Sequence, residues 1–297
     1  MPGQTQDSAP SSTPRPRESP LGIGVRRILR ARSSRIALVV LGIIVLTGLL
    51  APLIAPYEPS AQPDIVALKD LPPSLAHPFG TDPYSRDVLS RVIYGARLSL
   101  LIGVLATIVS LTVGVAYGAI SGYAGGVVDA VMMRVLDAFL SIPRLLLLIG
   151  VLVAWPRLSL ASLVLFLGLT GWFGLSRIVR GQVLALKHAE FVTAARALGA
   201  SRRRILWRHL LPNLVSPIVV AATLGVAHVI VLEAGLSYLG IGVPQPQASW
   251  GNIIQDGADQ VSRLWWMALF PGLFMVLTVM TLNVLGEALR DAYERRS

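Results

Sequence analysis

The 297-residue sequence contains no cysteine, and only 14% of its residues are charged. Without cysteine, the chain can form no disulfide bond, no thiolate metal site and no cysteine nucleophile. So little charge, together with a mean hydropathy of +0.65, is not typical of a soluble globular domain. The composition therefore predicts a protein that crosses a membrane several times.

The sequence also lacks the G-x-x-x-x-G-K-[ST] motif, and no lysine follows a glycine. The chain therefore cannot form the loop that cradles nucleotide phosphates in P-loop ATPases. It shows no Ser-His-Asp order, no zinc-ligand spacing and no paired carboxylates, and its four histidines are scattered over the predicted topology. We expect no catalytic residue, no metal site and no cofactor in this chain.

Six apolar runs have the length needed to cross a bilayer, alone or with a neighbouring segment. They cover residues 36–55, 98–120, 145–155, 158–175, 214–232 and 264–285. The third run is short, but the amphipathic stretch "VVDAVMMRVLDAFLSI" precedes it, and we expect a helix there that continues, kinked at Pro143, into the third span. The predicted fold class is an all-α polytopic membrane protein with six transmembrane helices.

The distribution of basic residues predicts the orientation. Seven arginines and two acidic residues precede Ile36, and residues 176–212 contain eight basic residues against Glu190 alone. With six spans, these two segments lie on the same side, so both termini are predicted to be cytoplasmic. The formal charge of +10 is then a consequence of topology, and we expect no nucleic-acid partner.

This topology divides the chain into five segments. They are a disordered basic cytoplasmic tail (1–35), a first transmembrane anchor (36–55), an extracytoplasmic segment (56–97), a five-helix core (98–290) that includes a loop at 187–213, and a cytoplasmic C-terminus (291–297).

The stretch "EFVTAARALGASRRRILWRHLLPN", residues 190–213, has the pattern of two short helices rather than of a simple connection. Phe191, Ala194, Ala195 and Leu198 recur at helical spacing, and Gly199 suits the left-handed position that ends a helix. We expect Ser201 to cap a second helix and Pro212 to stop it. The pattern predicts either a docking surface for a partner or an interfacial helix that lies on lipid.

Thr193-Ala194-Ala195, followed at fixed spacing by Gly199 and Leu211-Pro212, resembles the EAA loop of permease subunits in bacterial ATP-binding-cassette (ABC) importers. Thr193 stands where that family usually has glutamate, and His209 where it usually has isoleucine. "HPFGTDPYSRDVLSRVIYGARLSL", "DAVMMRVLDAFLSIP" and "LEAGLSYLGIGVPQPQASWGNII" are similar to the dipeptide, oligopeptide and nickel permease group, specifically its C-type member.

The resemblance implies a type I ABC importer permease fold in the bacterial inner membrane and alternating access driven by other subunits. The implied partners are a second, B-type permease in a heterodimer, two cytoplasmic ATPases that bind ATP and Mg, and an extracytoplasmic substrate-binding protein. The solute would be a di- or oligopeptide or a nickel chelate. The residues implied in coupling to the ATPase are Glu190, Phe191, Thr193, Ala194, Ala195, Leu198, Gly199, Leu211 and Pro212.

Two further groups are candidates for function. His228 and Glu233 lie within or at the end of the fifth span, where they either line a substrate pathway or pack by hydrogen bonding. Asp82, Arg86 and Asp87 are spaced for a capped helix start, with Thr81 or Asp82 as the cap, and for ion pairs. The resemblance adds that these three shape the surface that receives the binding protein.

A competing class is a self-contained secondary transporter or channel, whose internal repeats can be invisible in one sequence. Such a protein would work without any ATPase and would follow the membrane potential or pH. It leaves the patterned loop at 187–213 unexplained.

Overall fold

The computed structural model describes residues 31–155 and 159–294, with side chains described up to residue 292. Most of the predicted tail 1–35, the predicted turn at Pro156 and Arg157, and residues 295–297 lie outside this part of the chain. The described part is built from helices, with a single isolated β-bridge between Thr81 and Asp87.

The α-helices of the described residues are α1 (Arg32–Leu49), α2 (Ala51–Ile54), α3 (Val88–Ala124), α4 (Gly126–Leu140), α5 (Arg144–Ala154), α6 (Leu160–Leu169), α7 (Trp172–Leu186), α8 (Glu190–Ala197), α9 (Arg202–Ile205), α10 (Val215–Tyr238), α11 (Trp250–Asp256) and α12 (Trp266–Glu294). Short π and 3-10 turns at Leu206–Leu210 and Leu211–Leu214 join α9 to α10.

Five helical stretches of the described chain are long and apolar enough to cross a membrane: Arg32–Leu49, Val88–Ala124, Leu160–Leu186, Arg202–Tyr238 and Trp266–Ala292. The bent pair of α4 and α5 forms a sixth candidate span. The fold class predicted from the sequence is thus confirmed.

The bend between α4 and α5 measures 79°. Pro143 is the N-cap of α5, and proline both lacks an amide hydrogen and disfavours a helical conformation in the residue before it. The predicted kink is therefore present. Asp137 of α4 forms an ion pair with Arg177 of α7.

The second span begins at Val88 rather than at residue 98. Asp87 caps it, since its Oδ2 accepts a hydrogen bond from the amide of Ser90 at 2.8 Å. The predicted cap, Thr81 or Asp82, is therefore wrong. The fourth span continues to Leu186 rather than ending at residue 175, because Val179 and Val183 keep one side of α7 buried.

Close contact between α3 and α7 depends on a glycine. A Cβ atom at Gly118 would lie 2.3 Å from the carbonyl oxygen of Ser176. Small residues allow helix backbones to approach closely in lipid. The polar side of α4 covers the same region, because Asp129 accepts two hydrogen bonds of 2.6 Å from Arg180 of α7.

We expect Gly118→Val to separate α3 from α7 and to destabilise the chain by about 1–3 kcal/mol, the usual cost of overpacking. The thermal midpoint of the protein in detergent measures this effect. Gly181→Val is the matched control on α7, since a Cβ atom there meets nothing within 4 Å. Equal midpoints for the two variants would contradict the tight contact.

The beginning of α1 packs against the end of α12 through Ala37 and Leu285. Alternating spans place the end of α7 and the start of α10 at this same end of the bundle. Helix α8 and the arginine-rich segment 202–210 therefore lie on the side where the described chain begins and ends.

Candidate functional site

Helix α8 ends in the glycine corner that the sequence predicts. Gly199 has a φ of +80°. Its amide donates to the carbonyl of Arg196, and the amide of Ala200 donates to that of Ala195, both at 3.0 Å. This pair of bonds is the Schellman arrangement, which requires a left-handed residue at the corner. The corner turns the chain sharply from α8 into α9.

We expect Gly199→Val to cost about 1–2 kcal/mol, because a β-branched residue is strained at positive φ. No atom lies within 4 Å of a Cβ built at this position, so the cost comes from the backbone rather than from a clash. Gly199→Asn is the control, since asparagine tolerates the left-handed region. Yield of assembled protein and thermal midpoint measure the effect; equal loss in both variants would contradict the conformational explanation.

A single buried side chain fixes α8 to the bundle. Val192 is 0% exposed and belongs to a core cluster with Val183 of α7, Ile205 of α9 and Leu210. The periodic pattern of the sequence did not identify this anchor, because Val192 lies outside the repeat formed by Phe191, Ala194 and Ala195. The anchor therefore ties α8 to α7 and to the segment that leads into α10.

The face of α8 that the sequence predicts for docking points away from the bundle. Leu198 is 89% exposed and Phe191 is also exposed. Glu190, Thr193 and Ala194 are exposed and Ala195 is half-buried. The described residues therefore leave an apolar strip with small central residues uncovered, as a docking surface requires. We call this strip the α8 face.

After the corner, Ser201 caps α9 by accepting a hydrogen bond from the amide of Arg204 at 3.3 Å, as expected.

Pro212 does not end the helical path of the chain, so the predicted stop is wrong. It lies in the first turn of the 3-10 segment Leu211–Leu214, where a missing amide hydrogen costs little. Leu211 is half-buried and Pro212 exposed, and the chain continues directly into α10.

Asp82, Arg86 and Asp87 are all buried. Oδ2 of Asp82 accepts hydrogen bonds of 2.5 Å from Nε of Arg86 and from Nη1 of Arg91. Both arginines also donate to Oδ2 of Asp256 at 2.8 Å. We call Asp82, Arg86, Arg91 and Asp256 the ion cluster. It joins the segment before α3 to the end of α11, and its two positive and two negative charges balance.

The burial of Asp82, Arg86 and Asp87 restricts what they can do for a partner protein. Asp87 also contacts Nδ1 of His77 at 2.8 Å, in addition to capping α3. These side chains hold the segment 55–87 in place. Their predicted contribution to the surface for a binding protein stays a prediction, and it would act through the shape of that segment.

Glu233 is 1% exposed and is held by three serines. Its carboxylate accepts hydrogen bonds from Ser237 at 2.6 Å, Ser249 at 2.8 Å and Ser99 at 3.4 Å. The contacts join α10 to α3 and to the start of α11, which favours the packing interpretation of Glu233. His228, by contrast, is exposed on α10 and borders a cavity inside the bundle.

Within residues 31–155 and 159–294, no three His, Cys, Asp or Glu side chains are grouped so as to hold a metal ion. Three other features of the described residues are candidates for function: the α8 face, the ion cluster and the cavity beside His228.

A family model described as "Binding-protein-dependent transport system inner membrane component" matches residues 114–297. The chain belongs to this family. A second model, "N-terminal TM domain of oligopeptide transport permease C", matches residues 19–73. The permease therefore has the type I ABC permease fold, and the family and fold that the sequence motifs indicate are confirmed.

Curated relatives resemble the permease over nearly its whole length. It is 42% identical over 270 residues to the oligopeptide transport system permease protein OppC of Bacillus subtilis, covering 90% of this chain and 88% of that protein. It is 39% identical to the dipeptide transport system permease protein DppC of the same organism, covering 91% and 83%. It is 38% identical to OppC of Haemophilus influenzae, covering 91% and 86%.

Proposed function

We propose that the permease forms half of a translocation pathway that imports di- or oligopeptides across the bacterial inner membrane, driven by ATP hydrolysis on partner subunits. The names of its relatives support the solute class. The absence of a phosphate-cradling motif from the sequence supports the placement of ATP and Mg on other polypeptides.

The observation that carries this proposal is the uncovered α8 face on a helix that is fixed to the bundle. Phe191 and Leu198 offer apolar contacts, while Ala194 and Ala195 let a partner surface approach closely. ATP binding would bring the two ATPases together. The ATPase that holds α8 would then move this helix. The Val192 anchor would pass this movement to α7 and α10 and open the pathway to the outside. Hydrolysis would then reset the inward-facing state.

The remaining partners follow from this arrangement. A second, B-type permease would complete the pathway, and a substrate-binding protein would deliver peptide on the side opposite α8. The excess of arginine in the segment 202–210, at the same end of the bundle as the beginning of α1, supports a cytoplasmic position for α8 and for both termini.

The test is to purify the tagged permease in mild detergent from its native membrane, identify the co-purifying polypeptides by mass spectrometry, and reconstitute the complex in liposomes. We expect a second permease, P-loop ATPases and ATP-dependent peptide uptake that persists when ionophores collapse ion gradients. A permease that purifies alone and whose uptake follows an ion gradient would contradict the proposal and favour a self-contained carrier.

A further inference from the structure

A cavity of about 90 Å³ lies inside the helical bundle between α3, α5, α7 and α10. Its polar lining consists of Thr107, Ser110, Arg144 and His228. Thr107 and Ser110 lie near the middle of the span Val88–Ala124, and His228 lies near the middle of α10. Transporters bind solutes at this depth, and ionisable side chains here are rarely only structural.

Arg144 brings a positive charge to this cavity that no carboxylate of the described residues neutralises. Its Nη2 donates to the carbonyl of Leu167 at 2.8 Å, and its Nε donates to Oγ1 of Thr170 at 3.3 Å. These contacts fix the guanidinium but are made to neutral groups, and its Nη1 donates to no atom of the described chain. A cation at this depth is stabilised when an anion joins it.

Thr107 presents a second unused donor. Its Oγ1 is buried and makes no hydrogen bond within the described residues. A buried hydroxyl without a partner costs free energy, so such groups are few in folded proteins. Ser110 differs from it, because its hydroxyl already donates to the carbonyl of Gly168 at 2.8 Å.

Two glycines keep space around these polar groups. A Cβ atom at Gly171 would lie 2.2 Å from Oγ of Ser110 and 3.0 Å from Nη2 of Arg144. A Cβ atom at Gly225 would lie 3.1 Å from Cγ2 of Thr107. Any other residue at Gly171 would collide with the hydroxyl of Ser110 and crowd the guanidinium of Arg144.

We propose that Arg144, Thr107 and His228 form a subsite that receives a carboxylate of the solute as it crosses the bilayer. Nη1 of Arg144 and the hydroxyl of Thr107 would donate hydrogen bonds to the carboxylate oxygens, and the imidazole of His228 offers a third donor at the exposed edge. This inference rests on the proposed function, since a peptide carries such a carboxylate at its C-terminus or on an acidic side chain.

The test uses the complete reconstituted transporter with saturating binding protein, and two probes. One is a proteolytic digest of di- to pentapeptides, and the other is the same digest with its carboxyl groups amidated. Mass spectrometry of the liposome contents measures ATP-dependent accumulation, and each variant is compared with wild type on each digest. The ratio of variant to wild-type accumulation on one digest is independent of any preference that the binding protein has between the two digests.

For Arg144→Gln we expect accumulation of the free-acid digest to fall by about tenfold, the typical effect of losing a charged hydrogen bond. The amidated digest should be unaffected, and Arg144→Lys, which keeps the charge, should retain most free-acid uptake. Thr107→Val should lower free-acid uptake selectively as well, without harming folding, because its hydroxyl has no protein partner. Arg134→Gln and Thr112→Val, both exposed, are the matched controls.

Free-acid uptake that is unchanged in Arg144→Gln would overturn the inference. So would equal losses on both digests with no rescue by Arg144→Lys, because that pattern indicates a structural role. A wild-type complex that accumulates neither digest would bear on the proposed function first. It would contradict the peptide solute of the proposed function and, with it, the carboxylate subsite.

Discussion

Replacing Leu198 by aspartate is expected to remove the ATPases from the purified permease and to reduce ATP-driven uptake to background. Leu198 is 89% exposed, so the substitution does not disturb the core of the isolated chain. A carboxylate that an interface buries without a partner, however, costs several kcal/mol. Mass spectrometry of the purified complex and uptake by reconstituted liposomes measure the two effects.

The matched control is Leu75→Asp. Leu75 is fully exposed, but it lies in the segment 55–87, on the predicted extracytoplasmic side. We expect this variant to retain its ATPases. Retention of ATPases and uptake in Leu198→Asp would show that the α8 face is not the docking surface, and an interfacial helix on lipid would then be the better interpretation.

Replacing Asp82 by asparagine is expected to destabilise the permease by about 3–5 kcal/mol, because it leaves a buried ion cluster without one of its charges. The guanidiniums of Arg86 and Arg91 would then share Asp256 alone. Both arginines are buried, so water cannot replace the lost carboxylate. The thermal midpoint in detergent and the fraction of monodisperse protein should both fall strongly.

Asp259→Asn provides the control for this second prediction. Asp259 is exposed in the short 3-10 turn Ala258–Gln260, close in sequence to Asp256. Removing its charge should change the midpoint little, since exposed charges contribute little to stability. A midpoint for Asp82→Asn as high as that of Asp259→Asn would show that the ion cluster does not hold the segment 55–87 in place.

The features that the sequence predicted correctly are local ones. A spanning helix is specified by the length of its own apolar run, and the bend at Pro143 by the chemistry of one residue. The corner at Gly199 is likewise encoded in the few residues around it. The amphipathic pattern of 190–198 identified the α8 face, because side chains on the outside of a short helix follow its period.

The features that the sequence could not predict depend on contacts between distant segments. Arg91 and Asp256 belong to one cluster although α3 and α11 are far apart in the chain. The residues next to either of them in the sequence form no motif that indicates an ion pair. The sequence does not single out Arg144 either, because its position beside Thr107 and His228 depends on how three helices pack. The prediction that Pro212 stops the helix was wrong for a different reason. A helix accepts proline in its first turn but not in its interior, and the sequence does not show in which of these places Pro212 lies.

Because the permease has no cysteine, Leu198→Cys gives it a single reactive thiol on the α8 face. A thiol-linked photo-crosslinker at this position, activated in native membranes, labels whatever protein lies against it, and Leu75→Cys serves as the control. We predict that Leu198→Cys joins the permease to a P-loop ATPase and that Leu75→Cys does not. Attachment only to lipid, to a second copy of the permease or to nothing at all would contradict coupling through α8.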